Sequence, residues 1–339
     1  MQKKLIALAV AGLVSAPVMA QSNVTVYGIV DAFVGYGKTG DNKVTKVDAG
    51  GMAGPRLGFK GSEDLGNGLK AVFTLEYALL NDGNFGPGNT GGLNARQQFV
   101  GLQGGFGFVG LGRQYTAGYY VYKYDAMQAG SPYSPQSILS SKSGFTITPN
   151  SPARASNSIN WKSNNMGGVT INALYGLGEK NQIDDRREGD IAALGVDYAN
   201  GPVGVGLIIH HINNGPTDNQ KEWALGGSYD FGAVKLMGSY QQKKVGSVND
   251  KIYQIGGMIP VSAAGSVNVA IAKYDADAGG DFDANSLGVI YTHALSKRTI
   301  GYVGYSLVDN KSLSAKSVLA SGVAGKDSHN YLVGVLHSF

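Results

Sequence analysis

Val24-Thr25-Val26-Tyr27-Gly28-Ile29-Val30-Asp31-Ala32-Phe33-Val34-Gly35-Tyr36 is the stretch that decides the fold. Its even positions, Val24, Val26, Gly28, Val30, Ala32, Val34 and Tyr36, form an apolar face, whereas the odd ones include Thr25, Tyr27 and Asp31. A period of two is strand spacing, because successive side chains leave an extended chain on opposite faces. At the other end Tyr331, Val333, Val335, His337 and Phe339 alternate with Asn330, Leu332, Gly334, Leu336 and Ser338, so the chain closes on a strand.

About fourteen further segments of about ten residues alternate in the same way, the length of a tilted strand across a bilayer. Short joins carry turn residues: Gly66-Asn67-Gly68, Gly104-Gly105, Asn164-Asn165 with Gly167-Gly168, Asn200-Gly201, Asp230 with Gly232, Ala263-Ala264-Gly265 and Leu295-Ser296-Lys297. Asn and Gly accept positive φ at little cost and so suit tight hairpins. The other joins, at 38–51, 81–92, 179–187 and 309–325, are longer and polar. Short joins alternating with long ones describe an antiparallel up-and-down barrel with one plain and one elaborated rim, and the count is about 16 strands.

Composition narrows the class. Glycine at 52 of 339 residues without a Gly-X-Y period excludes collagen, and 43% apolar content with a net charge of only +4 excludes disorder and argues against a nucleic-acid binder. Zero cysteines remove disulfides, thiolate metal sites and thiol nucleophiles. Lys3-Lys4, the apolar run 5–14 and the exit Val18-Met19-Ala20 read as a secretory signal peptide, 1–20, leaving 21–339 as a single domain. No charge interrupts that run as the polar face of an amphipathic helix would. Beyond it no stretch reaches the roughly 18 apolar residues of a membrane helix, so a membrane-spanning mature chain must be a closed barrel. A soluble sandwich or propeller also has many short strands. Against it stand the charges on the second parity and the aromatic residues near strand ends, Tyr36, Tyr77, Phe106, Phe108, Trp161, Tyr198, Phe231, Tyr291 and Phe339, where interfacial girdles would sit.

The opening strand, the segment Arg56-Leu57-Gly58-Phe59-Lys60-Gly61-Ser62-Glu63-Asp64-Leu65-Gly66 with Gly68-Leu69-Lys70-Ala71, then Arg96-Gln97, Phe99-Val100-Gly101-Leu102, Leu111-Gly112-Arg113-Gln114 and the closing His337-Ser338-Phe339 resemble Gram-negative outer-membrane general porins, especially those of β-proteobacteria. The resemblance covers essentially the whole mature chain, and Gly-Ser-Glu-Asp-Leu-Gly is its most specific part. It implies a 16-stranded barrel in the bacterial outer membrane, assembled as a homotrimer among lipid and lipopolysaccharide, through which ions and small hydrophilic solutes diffuse. It also makes Phe339 the signal read by the outer-membrane assembly machinery.

The longest segment without alternation, about 114–154, contains Tyr115, Tyr119, Tyr120, Tyr122, Tyr124 and Tyr133. A loop of this length is usually functional or disordered, and its aromatic content favours a packed element. Its place after the fifth strand matches the loop that folds into porin barrels and narrows them, with Lys123 and Asp125 on the loop side; the other reading is a loop packed on a neighbouring subunit. Parity supplies the opposite wall. A charge on the lipid face at mid-bilayer costs roughly 2–4 kcal/mol, so Arg and Lys should point inward. This puts Arg56, Lys60 and Ser62 inward against Leu57 and Phe59, and Lys70, Thr74 and Glu76 inward against Phe73 and Leu75. It likewise puts Arg96 and Gln98 inward against Phe99, and Arg154, Ser156, Ser158, Asn160 and Lys162 inward against Ile159 and Trp161. Arg56, Arg96, Arg113 and Arg154 resemble the basic cluster of a porin constriction. Fixed positive charge in a narrow pore concentrates anions, so a modest anion preference is expected, offset by Asp31, Glu76 and Asp125. A rim position is the competing reading for any single arginine, because register is uncertain by a residue.

Enzymatic readings find little support. Gly105-Phe106-Gly107-Phe108-Val109-Gly110 fits G-x-G-x-x-G but sits at a hairpin with no helix following. The five histidines include no helical i, i+4 pair, and adjacent His210 and His211 point to opposite faces of a strand, as rim or interface residues. Glu63-Asp64 and Asp184-Asp185 read as solvated carboxylates near turns. No metal and no cofactor is expected. The reading is a passive diffusion channel, with a plugged adhesin-like barrel or a substrate-specific porin as alternatives.

Overall fold

The computed structural model describes residues 23–79, 94–128, 132–179, 187–278 and 280–339. The expected leader 1–20, the join 81–92 and the pair Asp184-Asp185 lie outside the described residues. The strands are β1 Asn23–Thr39, β2 Asn42–Ala49, β3 Arg56–Gly66, β4 Leu69–Ala78, β5 Ala95–Gly104, β6 Gly107–Tyr115, β7 Arg154–Lys162, β8 Val169–Gly176 and β9 Ile191–Asn200, continuing as β10 Val203–Ile212, β11 Gln220–Asp230, β12 Lys235–Val245, β13 Val248–Pro260, β14 Gly265–Asp275, β15 Ala284–Ala294, β16 Thr299–Asn310 and β17 Ser328–Ser338. Each pairs antiparallel with its neighbours, and β1 pairs with β17 over Ile29–Thr39, which closes the sheet. β2 and β3 lie end to end along β1 and count as one strand interrupted at 50–55, so the barrel has 16 strands.

The alternation of the opening stretch has a direct physical outcome. Val24, Val26 and Val34 are 58%, 55% and 50% exposed, whereas Asp31 and Phe33 are buried. The same inversion runs round the wall: Leu111, Ile159, Ile255, Ile271 and Val333 face out, and Asn160, His210, Glu222, Gln241 and Asn330 face in. A soluble sandwich would bury the apolar parity, and an exposed apolar band of this extent is stable only against lipid. The short rim turns tightly, as at Gly66-Asn67-Gly68, where all three residues have positive φ.

The long join expected at 38–51 is instead a hairpin: β1 and β2 pair out to Thr39 and Asn42 across a turn with Gly40 at φ 59°. Lys43-Val44-Thr45-Lys46-Val47 alternates, and that pattern outweighs its polarity. Phe108, expected in the outer girdle, lies edge-on to Phe99 inside the barrel (centroids 5.6 Å).

Between β6 and β7 the chain enters the lumen as a 3₁₀ segment Ala117–Tyr124 and a helix α1 Pro135–Lys142, whose N-terminus is capped by Ser134 Oγ accepting from Ser137 N (2.9 Å). Ile138, Leu139 and Phe145 pack on Ile252, Ala272, Tyr274 and Val308 of the wall. Wall glycines make room for it: a Cβ at Gly226 would collide with Tyr124, and one at Gly304 with Tyr133. The 311–327 join also folds over the mouth, with Leu319 against Gly35 and Gly37 and Asn310 Nδ2 donating to the Lys316 and Lys326 carbonyls (both 2.8 Å).

Candidate pore constriction

The inward loop divides the lumen. On the side of the long joins a cavity of about 570 Å³ is lined by Arg56, Arg96 and Arg154 from the wall and by Tyr115, Tyr119, Tyr120 and Tyr122. On the side of the short turns a cavity of about 510 Å³ is lined by Lys123, Asp197 and Lys235 among others. Tyr122 and Gln128 line both, so the two spaces meet at the loop. A further cavity on the short-turn side carries Lys60 and Lys162.

The three arginines differ in their engagement. Arg96 is buried; its Nε donates to Glu76 Oε1 (2.9 Å) and one Nη to the Tyr115 hydroxyl (2.9 Å). Glu76 also accepts from Tyr27 (3.0 Å) and Tyr115 (2.8 Å), so it is held behind Arg96. Arg56 donates Nε to the Gly54 carbonyl (2.9 Å). Arg154 lies over the Tyr115 and Tyr119 rings (5.4 and 6.0 Å to the centroids). No Asp or Glu is among the described residues lining this cavity. The facing loop surface is phenolic: burial pushes Tyr120 up to about 12 and raises Tyr122 as well, so both are neutral near pH 7.

Arg113, expected on the basic wall, faces outward. It pairs opposite Gln98, two residues along from the outward pair Leu111 and Val100 and so on the same face, and donates to the Ala95 carbonyl and Ser156 Oγ (both 2.9 Å). A register break between Glu76 and Tyr77 sets Arg96 and Gln97 in a bulge, which reverses the parity beyond it. Gln98 is therefore on the outer side and Phe99 on the inner, the opposite of the expected arrangement. A second break between Gly112 and Gln114, with Asn157 at φ 51°, puts Ser156 on Arg113's side while Ser158 and Asn160 stay inside.

Two expected pore acids are buried elsewhere. Asp31 accepts from Met52 N and Ala53 N (both 2.7 Å) and from the Tyr302 hydroxyl, which fixes the interruption between β2 and β3. Asp125 accepts from Met127 N (3.0 Å), Ser134 Oγ and Gln254 Nε2 and has no exposed surface. Both carboxylates satisfy local backbone donors, a use that spacing does not reveal. Lys60 and Lys123 stand in the lumen but on the short-turn side, Lys60 over the Tyr27 ring (5.2 Å) and Lys123 paired with Asp197 (3.3 Å). Phe339 exchanges backbone hydrogen bonds with Gly28 (3.0 and 3.1 Å), and its ring covers that glycine on the outer wall.

The residues that hold the loop were not singled out by pattern. Glu222 accepts from Thr146 N (2.8 Å), Ile147 N (2.9 Å) and Thr146 Oγ1 (3.0 Å). His210, expected at a rim, is buried in the lumen, where Nε2 accepts from Gly118 N (3.1 Å) and Nδ1 meets Thr146 Oγ1 (2.8 Å). Asn268 donates to the Ala126 carbonyl (3.0 Å). Inward polar residues on strands were the available signal, but nothing in the sequence says which loop group each one meets.

A family model described as Gram-negative porin matches residues 7–313. Outer membrane porin protein 32 of Delftia acidovorans is 35% identical, with both chains covered in full, and a major outer membrane protein P.IB of Neisseria meningitidis serogroup B is 28% identical over 96% of this chain and 98% of its own. The solved anion-selective porin from Comamonas acidovorans superposes with a TM-score of 0.83 at 32% identity, covering 94% of this chain and all of that one. A barrel turned apolar side out, a lumen narrowed by its own loop and this full-length likeness agree, and the chain belongs to the Gram-negative porin family, the outer-membrane channels for passive diffusion.

Proposed function

We propose that the channel favours anions and that Arg56, Arg96 and Arg154 form its selective constriction. The carrying observation is the charge of that cavity: three guanidinium groups line it, one carboxylate (Glu76) lies behind them, and the facing loop contributes phenols rather than acids. Its position beside the short-turn cavity, with which it shares Tyr122 and Gln128, supports a role for this charge in the path of a permeating ion. Lys60 and Lys162 extend the positive lining. The anion-selective character of the Comamonas relative supports the same reading. We further propose that residues 1–20 are removed on export, that the mature chain assembles as a homotrimer, and that Phe339 directs its insertion.

The test is a planar-bilayer recording of the purified protein under a potassium chloride gradient. Conductance steps, often in threes, with a reversal potential of anion-favouring sign are expected. A cation-favouring potential overturns the selectivity, and silence from a folded, inserted sample favours a plugged barrel.

A further inference from the structure

We infer that the constriction is built for planar aromatic carboxylates, a solute class that inorganic anion preference alone does not specify. The inference rests on the proposed anion preference and adds a second recognition element. Two guanidinium groups have capacity left for a ligand: Arg56 and Arg154 both line the cavity, and neither makes an ion pair among the described residues. A guanidinium fork matches a carboxylate in two parallel hydrogen bonds, a geometry chloride cannot use.

Aromatic surface stands in the same cavity. Tyr115 and Tyr119 stack on each other (3.8 Å between centroids), and Arg154 covers both. Tyr120 and Tyr122 remain partly exposed to the space, 6.3 Å apart and each edge-on to Tyr119 (5.9 and 5.8 Å). Tyr120 is fixed from behind by Lys162, which donates to its hydroxyl (3.3 Å). A benzoate-like solute therefore meets a cation for its carboxylate and ring faces or edges for its ring. Ring contacts depend on the π-system and are weaker for a saturated ring of similar size.

The experiment measures block of chloride current by sodium benzoate and by sodium cyclohexanecarboxylate in the full-length mature protein, with the reversal potential recorded on the same channels. Benzoate is expected to half-block at a concentration roughly threefold to tenfold lower, the factor given by an aromatic contact of about 0.6–1.4 kcal/mol. Tyr120→Leu with Tyr122→Leu should abolish the difference, and Tyr120→Phe with Tyr122→Phe, which keeps the rings, should preserve it. Equal block by the two acids, or discrimination that survives the leucine pair, overturns the inference while an anion-favouring potential leaves the proposed function standing. A cation-favouring potential removes both.

Discussion

In the proposed constriction Arg56 and Arg154 each add a positive charge to the cavity lining, Arg96 and Glu76 nearly cancel, and Arg113 is on the far side of the wall. One unit charge about 8 Å from an ion in water is worth about 0.5 kcal/mol, roughly a twofold change in local concentration. Because the same charge depletes cations as it enriches anions, Arg56→Ala and Arg154→Ala should each lower the anion-to-cation permeability ratio by about fourfold. Glu76→Gln should raise it, and Arg113→Ala should leave it unchanged; reversal potentials read all four. Asp125 makes a different prediction. Burial pushes its carboxyl from 3.8 up to about 6, so the proton is bound more tightly in the folded protein. Its contribution to stability is complete below about pH 4 and is lost as pH rises through about 6, an upper bound of ~3 kcal/mol. Thermal unfolding midpoints should therefore fall between pH 4 and 6 in the wild type, and this component should vanish in Asp125→Asn. Arg56 and Arg154 were legible as inward because a charge on the lipid face is costly, whereas the same argument misplaced Arg113, whose facing is set by the register breaks beside it. Asp31 and Asp125 were not, since a carboxylate that caps backbone donors and one that lines a pore look alike in sequence.

Loop docking is the element-scale event that makes a constriction out of a wide barrel. Glu222 serves two backbone N–H groups and a hydroxyl of the loop, and each donor left buried without a partner costs about 1–3 kcal/mol. Glu222→Ala should loosen the 144–148 region, seen as larger open-channel noise and higher conductance in single-channel records. Glu222→Gln retains an acceptor oxygen and should give the smaller change. Strand existence and count were readable because period two persists for ten residues at a time. Facing was less secure: the bulge at Arg96-Gln97 takes a single residue to reverse every side chain after it, so Phe99 reads as outward from Arg96 and is inward in fact. The loop's path was unreadable for another reason. Its partners are isolated polar residues on β10, β11, β13 and β14, separated in sequence by barrel closure.

At the scale of the whole molecule, selectivity depends on how far the constriction's charge reaches into the water of the lumen. The loop-side and short-turn cavities share Tyr122 and Gln128 in their linings. On the proposed reading discrimination is electrostatic, and dissolved salt must weaken it. The screening length is about 10 Å at 0.1 M and about 3 Å at 1 M ionic strength. At the lower salt the fields of Arg56 and Arg154 overlap across the opening, whereas at the higher salt each is confined to its own neighbourhood and the centre of the path becomes nearly neutral. A fixed tenfold potassium chloride gradient should thus give a larger anion-favouring reversal potential at a mean concentration near 0.1 M than near 1 M, with the Arg56→Ala and Arg154→Ala double variant showing a much flatter dependence. A potential independent of mean salt would place the discrimination in size exclusion or direct ion coordination, and would remove the arginine field from the account of this channel.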